Sequence, residues 1–429
     1  MAKGKAPGRL AILIGDDSAG VLLNKSGRQT FVYDSGWLKR RDAYPLSQCL
    51  PLVPGEFPPR LVGAFFWGVL PDNERILTAI AEQHETSPRS LMGLLAAVGG
   101  DCPGAIRILP EETAFAPERE TEEILWLSER EVADRLSRLT AMPLGRRANE
   151  AGQFSLAGAQ PKTAFIRDDK GRYGIPQGRI PTTHILKPPS QGFDGFSENE
   201  HFCLQLADRL GLKVANSWVE RFEDQVSIVV ERYDRRQQAD GRIMRVHQED
   251  FCQASGVPPE NKYQTMGGPG PKECLSLLDS SGDPETDKTR FILALAYNWI
   301  VGGTDGHAKN YSLLYAPGQI RMAPLYDIAS ATAYPDRFDM RGLKMAMKID
   351  GKAEFSAVYR RHWDRLIKHA RMDEDRVIAQ IVSMARSAPD LAIDVAARCR
   401  AEGLTHSILP KLVDAVSSGS AAALKALES

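Results

Sequence analysis

The first hundred residues set short apolar runs between turn-forming residues. "RLAILIG", "AGVLLN" and "QTFVYD" fill residues 9–33 and read as three strands. Asn24-Lys25-Ser26-Gly27 supplies the residues a hairpin needs between the last two. "RLVGAFFWGVLPDNERILTAIAEQ" reads as a helical segment broken at Pro71, and "PRSLMGLLAAVGG" as a helix closed by glycine. "GAIRIL" returns to strand. The stretch at 110–123, "PEETAFAPERETEE", is acidic and proline-rich and reads as a linker.

The pattern restarts near residue 124. Ser128 and Glu131 form a capping-box signature ahead of "VADRLSRL". Strand-like pieces follow: "KTAFIRD", "TTHILKP", "NSWVERF" and "QVSIVVERYD". One helix interrupts them at 197–210. Its apolar face carries Cys203, Leu206, Ala207 and Leu210, its start carries a second capping signature (Ser197, Glu200), and Gly211 ends it. From about residue 286 the periodicity is helical. "TDKTRFILALAYNWIVGG" is apolar all round and ends in a glycine pair; further helical patterns lie at about 354–370, 374–388 and 405–427. The expectation is an α+β protein of three parts. These are an N-terminal αβ subdomain (1–110), a strand-rich lobe (124–285) and a helical C-terminal lobe (286–429).

Composition adds exclusions. At 429 residues the chain is long enough for two or three domains. A formal net charge of -1 supplies no global basic field of the kind nucleic-acid binders carry. The six cysteines form no CxxC and no zinc-ligand spacing with histidine, which suits a reducing, cytoplasmic compartment. No signal peptide and no apolar run of membrane-spanning length is read.

The chemistry concentrates in "GTDGHAKNYSLLY" and "APLYDIASA". Phosphoryl transfer needs a carboxylate at the attacking hydroxyl, oxygen ligands for magnesium, a cation on the phosphates and backbone N–H groups over them. Protein kinases space the first two as Asp-x-x-x-x-Asn, with a second metal-binding Asp downstream. Asp305, Asn310 and Asp327 repeat that order. Taken singly, Asp305 suits an Asx turn and Asn310 a cap; the ordered set, downstream of a suitable lysine, favours chemistry. The lysine is Lys187, at the end of the apolar run in "THILKPP", where Pro188-Pro189 turns the chain out of its strand. "SLAGAQPKTAF" (155–165) suits either a small-residue phosphate cover or a plain turn. Lys162 in it suits either a phosphate cation or a solvated side chain. A serine–lysine hydrolase built on Ser155 and Lys162 lacks a supporting motif. "ERYDR" (231–235) suits an adenine-side hinge or an ordinary strand end.

Together "FSLAGAQPKTAF", "THILKPP", "SENEHFCLQLADRLGL", "VVERYDR", "VHQEDFCQASGVPPENKY", "NWIVGGTDGHAKNYSLLY" and "APLYDIASA" resemble the HipA family, Ser/Thr kinases that serve as toxins of type II toxin–antitoxin pairs. "GAFFWGVLPDN" and "GGDCPGAIRIL" are similar to the extra N-terminal subdomain of its full-length members. The resemblance implies a two-lobed protein-kinase-like fold using ATP and Mg2+. It implies Asp305 as catalytic aspartate, Asn310 and Asp327 as metal ligands, and Lys187 on the ATP phosphates. Ala157, Gly158, Ala159, Gln160 and Lys162 would belong to the phosphate loop, Glu231 and Tyr233 would border adenine, and His307 would join the nucleotide site. Ser155 would be the autophosphorylated, self-inactivating serine. Pro161 departs from the family, where glutamate is frequent, and removes one N–H donor from the loop. By the same resemblance the partners are a HipB-like helix-turn-helix antitoxin, operator DNA through that antitoxin, and a protein substrate, most plausibly an aminoacyl-tRNA synthetase. A lipid or small-molecule kinase and a catalytically silent corepressor are the rival readings.

Overall fold

The computed structural model describes residues 6–115, 123–139, 142–146, 154–190, 192–316 and 318–429. The architecture is α+β, and the chain forms two compact units. The first comprises Met1–Pro188, Glu220–Glu260 and Leu313–Gln319; the second comprises Pro189–Val219, Asn261–Ser312 and Ile320–Ser429.

The first unit is strand-rich. Its N-terminal sheet runs Glu56–Phe57, Arg28–Tyr33, Asp17–Lys25, Arg9–Ile14, Ile106–Pro110, and every pairing is antiparallel. The hairpin falls where Asn24 and Gly27 promise it: the Gly27 N–H donates to the Asn24 side chain at 3.0 Å, with Ser26 and Gly27 both at positive φ. Pro71 does separate two helices, Pro59–Gly68 and Glu74–Gln83. Helix Leu91–Val98 ends at Gly99 as expected. Phe65, Phe66, Leu94 and Leu95 from these helices are fully buried against Leu10, Ile12, Phe31 and Ile108 of the sheet. Each such side chain contributes on the order of 1.5–3 kcal/mol by leaving water. The same core continues into Phe154, Leu156 and Ala164, so the N-terminal part and the next sheet share one apolar interior.

That next sheet sets six strands in the order Ser217–Phe222, Gln225–Glu231, His184–Lys187, Thr163–Arg167, Tyr173–Pro176, Ile124–Trp126. Two of them carry no clear sequence signal. Ile124–Trp126 has three residues, and Tyr173–Pro176 holds a glycine and a proline. The linker expected at 110–123 opens with a helical turn, Glu111–Ala114, tied by Glu111 to Arg9; residues 116–122 lie outside the described residues.

The second unit is helical. Helix Pro284–Val301 is buried along most of its length and stops at Gly302, which takes the left-handed conformation a C-cap requires. Helices Phe196–Arg209, Glu374–Ala401 and Ile408–Glu428 pack around it. Three expectations need correction. Helix Phe196–Arg209 is capped by Gly195 in the left-handed region, not by a Ser197–Glu200 box; Ser197 and Glu200 lie inside it, both buried. The helix expected to stop at 388 runs through Pro389 to Ala401, because Ala385, Ala388 and Ala392 bury the face on either side of the missing N–H. Residues 354–359 are not α-helical: strand Lys352–Glu354 and a single 3-10 turn, Phe355–Ala357, precede helix Arg360–His369. Among the described residues no helix is long and apolar enough to cross a membrane, and all six cysteines are free thiols.

A titratable group is locked into the first unit. Glu249 is buried and accepts from the Gln48 N–H at 2.9 Å and from the Tyr315 hydroxyl. Burial pushes its carboxyl up to about 7; bonds from Ser47, Tyr315 and Gln48 oppose the rise. The folded protein therefore holds a proton that the unfolded chain, with an ordinary glutamate near 4.5, has released. The stabilisation is complete below that ordinary value and is lost as pH climbs through about 7. Glu249→Gln keeps the shape without the titration. Between pH 5 and pH 8, wild type should lose up to about 3 kcal/mol relative to this variant in denaturant unfolding. Equal pH slopes for the two proteins would contradict the assignment.

Candidate active site

The first unit builds the 155–162 loop on a braced base. Ser155 is fully buried; its N–H donates to the Asp101 carbonyl at 3.0 Å and its hydroxyl to the Val69 carbonyl at 2.8 Å. The Asp72 N–H donates to the Gly158 carbonyl at 3.2 Å, and the Asn73 amide to the Ala159 carbonyl at 3.2 Å. Gly158 has φ +105°, a backbone conformation that residues with a Cβ rarely adopt, so a substitution there would be strained. Lys162 donates to the Ala157 carbonyl at 2.8 Å, folding 157–162 back on itself. Gln160 reaches the Pro188 carbonyl at 3.0 Å, directly after Lys187. Lys187 ends its strand nearly buried, opposite Ile228 of Gln225–Glu231. Glu231 closes that neighbouring strand and is exposed; the Tyr233 hydroxyl donates to Gln248 at 2.5 Å.

A buried ionic cluster fixes these pieces. Asp101 accepts from the Thr182 N–H and hydroxyl (2.9 and 2.7 Å), from Arg235 (2.8 Å) and from Arg245 (3.1 Å). Arg232 forks onto Asp234 at 3.0 and 2.9 Å, and Asp234 accepts the Gly104 N–H at 2.7 Å. Burial raises the Asp101 carboxyl, but Arg235, Arg245 and Arg232 outweigh it and hold it far below the ordinary carboxylate range.

The second unit assembles the acids. Asp305 follows the Gly302 cap and is exposed, its side chain 64% accessible. The Asn310 amide donates to the Asp305 carbonyl at 3.0 Å and to the Asp327 carbonyl at 3.3 Å. One amide thus joins two segments seventeen residues apart. With both donors used, its Oδ1 is the atom left for a cation. Asp327 has φ +59°, a left-handed conformation that aspartate tolerates and that aims its carbonyl at Asn310. The segment entering Asp327 is itself anchored. Buried Asp287 accepts from Arg321 (2.9 Å), Arg290 (3.0 Å) and the Met322 N–H (3.1 Å). Leu325 pairs with Lys213 and Ala215 backbone groups at 2.8 Å each.

His307 is buried, its Nε2 3.9 Å from the Asp305 carboxylate and its ring edge-on to Tyr263, centroids 4.9 Å apart. The Tyr263 hydroxyl donates to Asp305 Oδ1 at 2.6 Å. Among the described residues no cluster of three or more His, Cys, Asp or Glu side chains suits a metal. Asn310 and Asp327 offer two oxygens. That number fits magnesium, which keeps several waters and takes its other ligands from phosphates.

A family model described as the HipA-like C-terminal domain matches residues 154–392, and one described as the HipA N-terminal domain matches residues 10–109. This chain belongs to the HipA family. Y4mE of Sinorhizobium fredii is 39% identical over 368 residues, 85% of this chain and 86% of that protein. The serine/threonine-protein kinase toxin HipA of Shewanella oneidensis is 27% identical over 400 residues, 90% and 89% of the two chains. A solved structure of Shewanella oneidensis HipA with HipB and operator DNA is 24% identical, aligns with a TM-score of 0.82 and covers 97% of each chain, which shows a common fold. By family the chain is a serine/threonine kinase.

In this HipA-family chain the residues singled out by sequence fall into two groups. Asp305, His307, Asn310 and Asp327 meet within the second unit. Ser155, Ala157–Lys162, Lys187, Glu231 and Tyr233 all belong to the first, where Gln160 reaches the Pro188 carbonyl next to Lys187. Sequence reasoning missed Val69, Asp72 and Asn73, which brace the loop through side-chain and backbone bonds across more than eighty residues of chain. It also missed Tyr263, which no local spacing links to Asp305.

Asn310→Ala removes both ties of the acidic pair, about 1–3 kcal/mol of buried hydrogen bonding. Amide hydrogen exchange should quicken at 304–310 and 326–331 while helix 374–401 is unaffected; unchanged exchange at the first two segments would show that the amide is not what joins them.

Proposed function

We propose that the chain is an ATP- and Mg2+-dependent Ser/Thr protein kinase that arrests growth as the toxin of a toxin–antitoxin pair. The observation that carries this reading is the single Asn310 amide holding the Asp305 and Asp327 segments together, with Asp305 open to solvent. An exposed carboxylate suits a group that must meet an acceptor hydroxyl. Asp305 orients the serine or threonine O–H and takes its proton as the oxygen bonds the γ-phosphorus and the β–γ bridge oxygen leaves with ADP. Magnesium, held by Asn310 Oδ1 and the Asp327 carboxylate, would neutralise charge on the phosphates. Within the first unit, Lys187 and the 157–162 backbone are the proposed phosphate contacts and Glu231 and Tyr233 the proposed adenine contacts; within the second, His307 stands beside Asp305.

Ser155 fits a self-inactivating role. It is fully buried against the Val69 carbonyl. A phosphate of about -1.5 to -2 charge cannot remain there and would drive 155–162 out of its braced position. The assembly of Shewanella HipA with HipB and operator DNA supports an equivalent antitoxin for this chain. The proposed target is a translation component in the cytoplasm, an aminoacyl-tRNA synthetase.

Asp305→Asn should lower phosphoryl transfer about 10²–10⁴-fold, leave magnesium–nucleotide binding by calorimetry intact and abolish growth arrest on expression. Arrest by this variant equal to wild type would remove catalysis as the source of toxicity. Ser155→Ala should stay active after prolonged incubation with ATP, whereas wild type loses activity in step with phosphate on Ser155 by mass spectrometry. Phosphate found only elsewhere would end the self-inactivation reading.

A further inference from the structure

The Asp305 carboxylate is exposed, yet one of its oxygens is already engaged. The Tyr263 hydroxyl donates to Oδ1 at 2.6 Å. His307 Nε2 lies 3.9 Å from the same oxygen, beyond hydrogen-bond reach, so the phenol is its donor. Among the described residues nothing donates to Oδ2. A surface carboxylate ordinarily turns freely about its last bond, because that torsion is broad. A bond from a neutral hydroxyl to a charged oxygen is strong enough to stop the rotation, provided the donor is itself held.

Tyr263 is held from two sides. Its carbonyl accepts the Met266 N–H at 2.9 Å and the Gly268 N–H at 3.0 Å, which closes a tight turn. A Cβ on Gly268 would lie 2.2 Å from the Asn261 carbonyl, so a side chain there would force the turn apart. The next residue, Gln264, accepts the Lys348 N–H at 2.7 Å and ties the turn to strand Lys344–Ile349. The Tyr263 ring stands edge-on to buried His307. We propose that Tyr263 is a positioning residue for phosphoryl transfer: it holds Oδ1 and leaves Oδ2, in a fixed orientation, for the acceptor hydroxyl. The acceptor O–H gives its proton to Oδ2 as its oxygen bonds the γ-phosphorus and the β–γ bridge oxygen leaves with ADP; the phenol keeps its own proton. The proposal rests on the reading of Asp305 as the catalytic aspartate.

Tyr263→Phe removes the hydroxyl and keeps the ring against His307. Full-length protein would be given Mg·ATP with a radiolabelled γ-phosphate, and transfer followed to the chain itself and to myelin basic protein. The maximal rate should fall about tenfold or more, with half-saturating ATP and acceptor concentrations within about twofold of wild type. In an Asp305→Asn background the same substitution should cost nothing further, because Tyr263 acts only through that carboxylate. A loss through misfolding would instead appear equally in both backgrounds. A Tyr263→Phe rate equal to or above wild type, a change confined to KM, or an equal loss in the Asp305→Asn background would overturn the proposal and leave the kinase reading standing. Asp305→Asn as fast as wild type, or wild type that transfers no phosphate, would remove that reading and the proposal with it.

Discussion

The first unit depends on one buried carboxylate. Asp101 gathers Thr182, Arg235 and Arg245, with Arg232 bridging through Thr182 to Asp234. These residues come from the N-terminal third, from the turn before Lys187's strand and from the chain after Glu231. Burying charges is costly unless each is answered, and here the arginines fork onto the acids and onto backbone carbonyls. Such a cluster has one satisfactory arrangement. The Asp101 carbonyl also takes the Ser155 N–H, so the 155–162 loop inherits its position from the same residue.

The second unit solves a related problem with neutral groups. Asp305 is exposed, so burial does not hold it in place. Asp305 is instead positioned by its backbone, through Asn310 and the Gly302 cap, and by the Tyr263 hydroxyl on its carboxylate. Asp287, fully buried under Arg321 and Arg290, fixes the segment that delivers Asp327. Charge burial in this unit thus falls on Asp287, away from exposed Asp305.

Legibility in the sequence followed the range of the forces involved. The hairpin at Asn24–Gly27, the Ser128–Glu131 box and the Gly302 cap were readable because each is closed by neighbours within four residues. Helix Glu374–Ala401 was misjudged at Pro389 because packing of Ala385, Ala388 and Ala392 overrode a local breaker. Glu200 was misread as a cap. Its spacing to Ser197 fits a capping box, but Gly195's left-handed turn starts the helix earlier and rolls Glu200 into the interior, where it lines a small cavity beside Asp305.

By itself the sequence determined the chemical inventory and its order: Lys187, Asp305, Asn310 and Asp327, set among apolar runs that name their own strands and helices. Residue type and short spacing are properties of the chain alone, and they suffice for chemistry that a loop can display. Only the tertiary structure decided which distant groups support them. Val69 and Asn73 against the 155–162 loop, Asp101 among its arginines, and Tyr263 on Asp305 are partnerships across 42 to 144 residues. No local periodicity encodes such a pairing, because it exists only once burial has removed water as the competing partner.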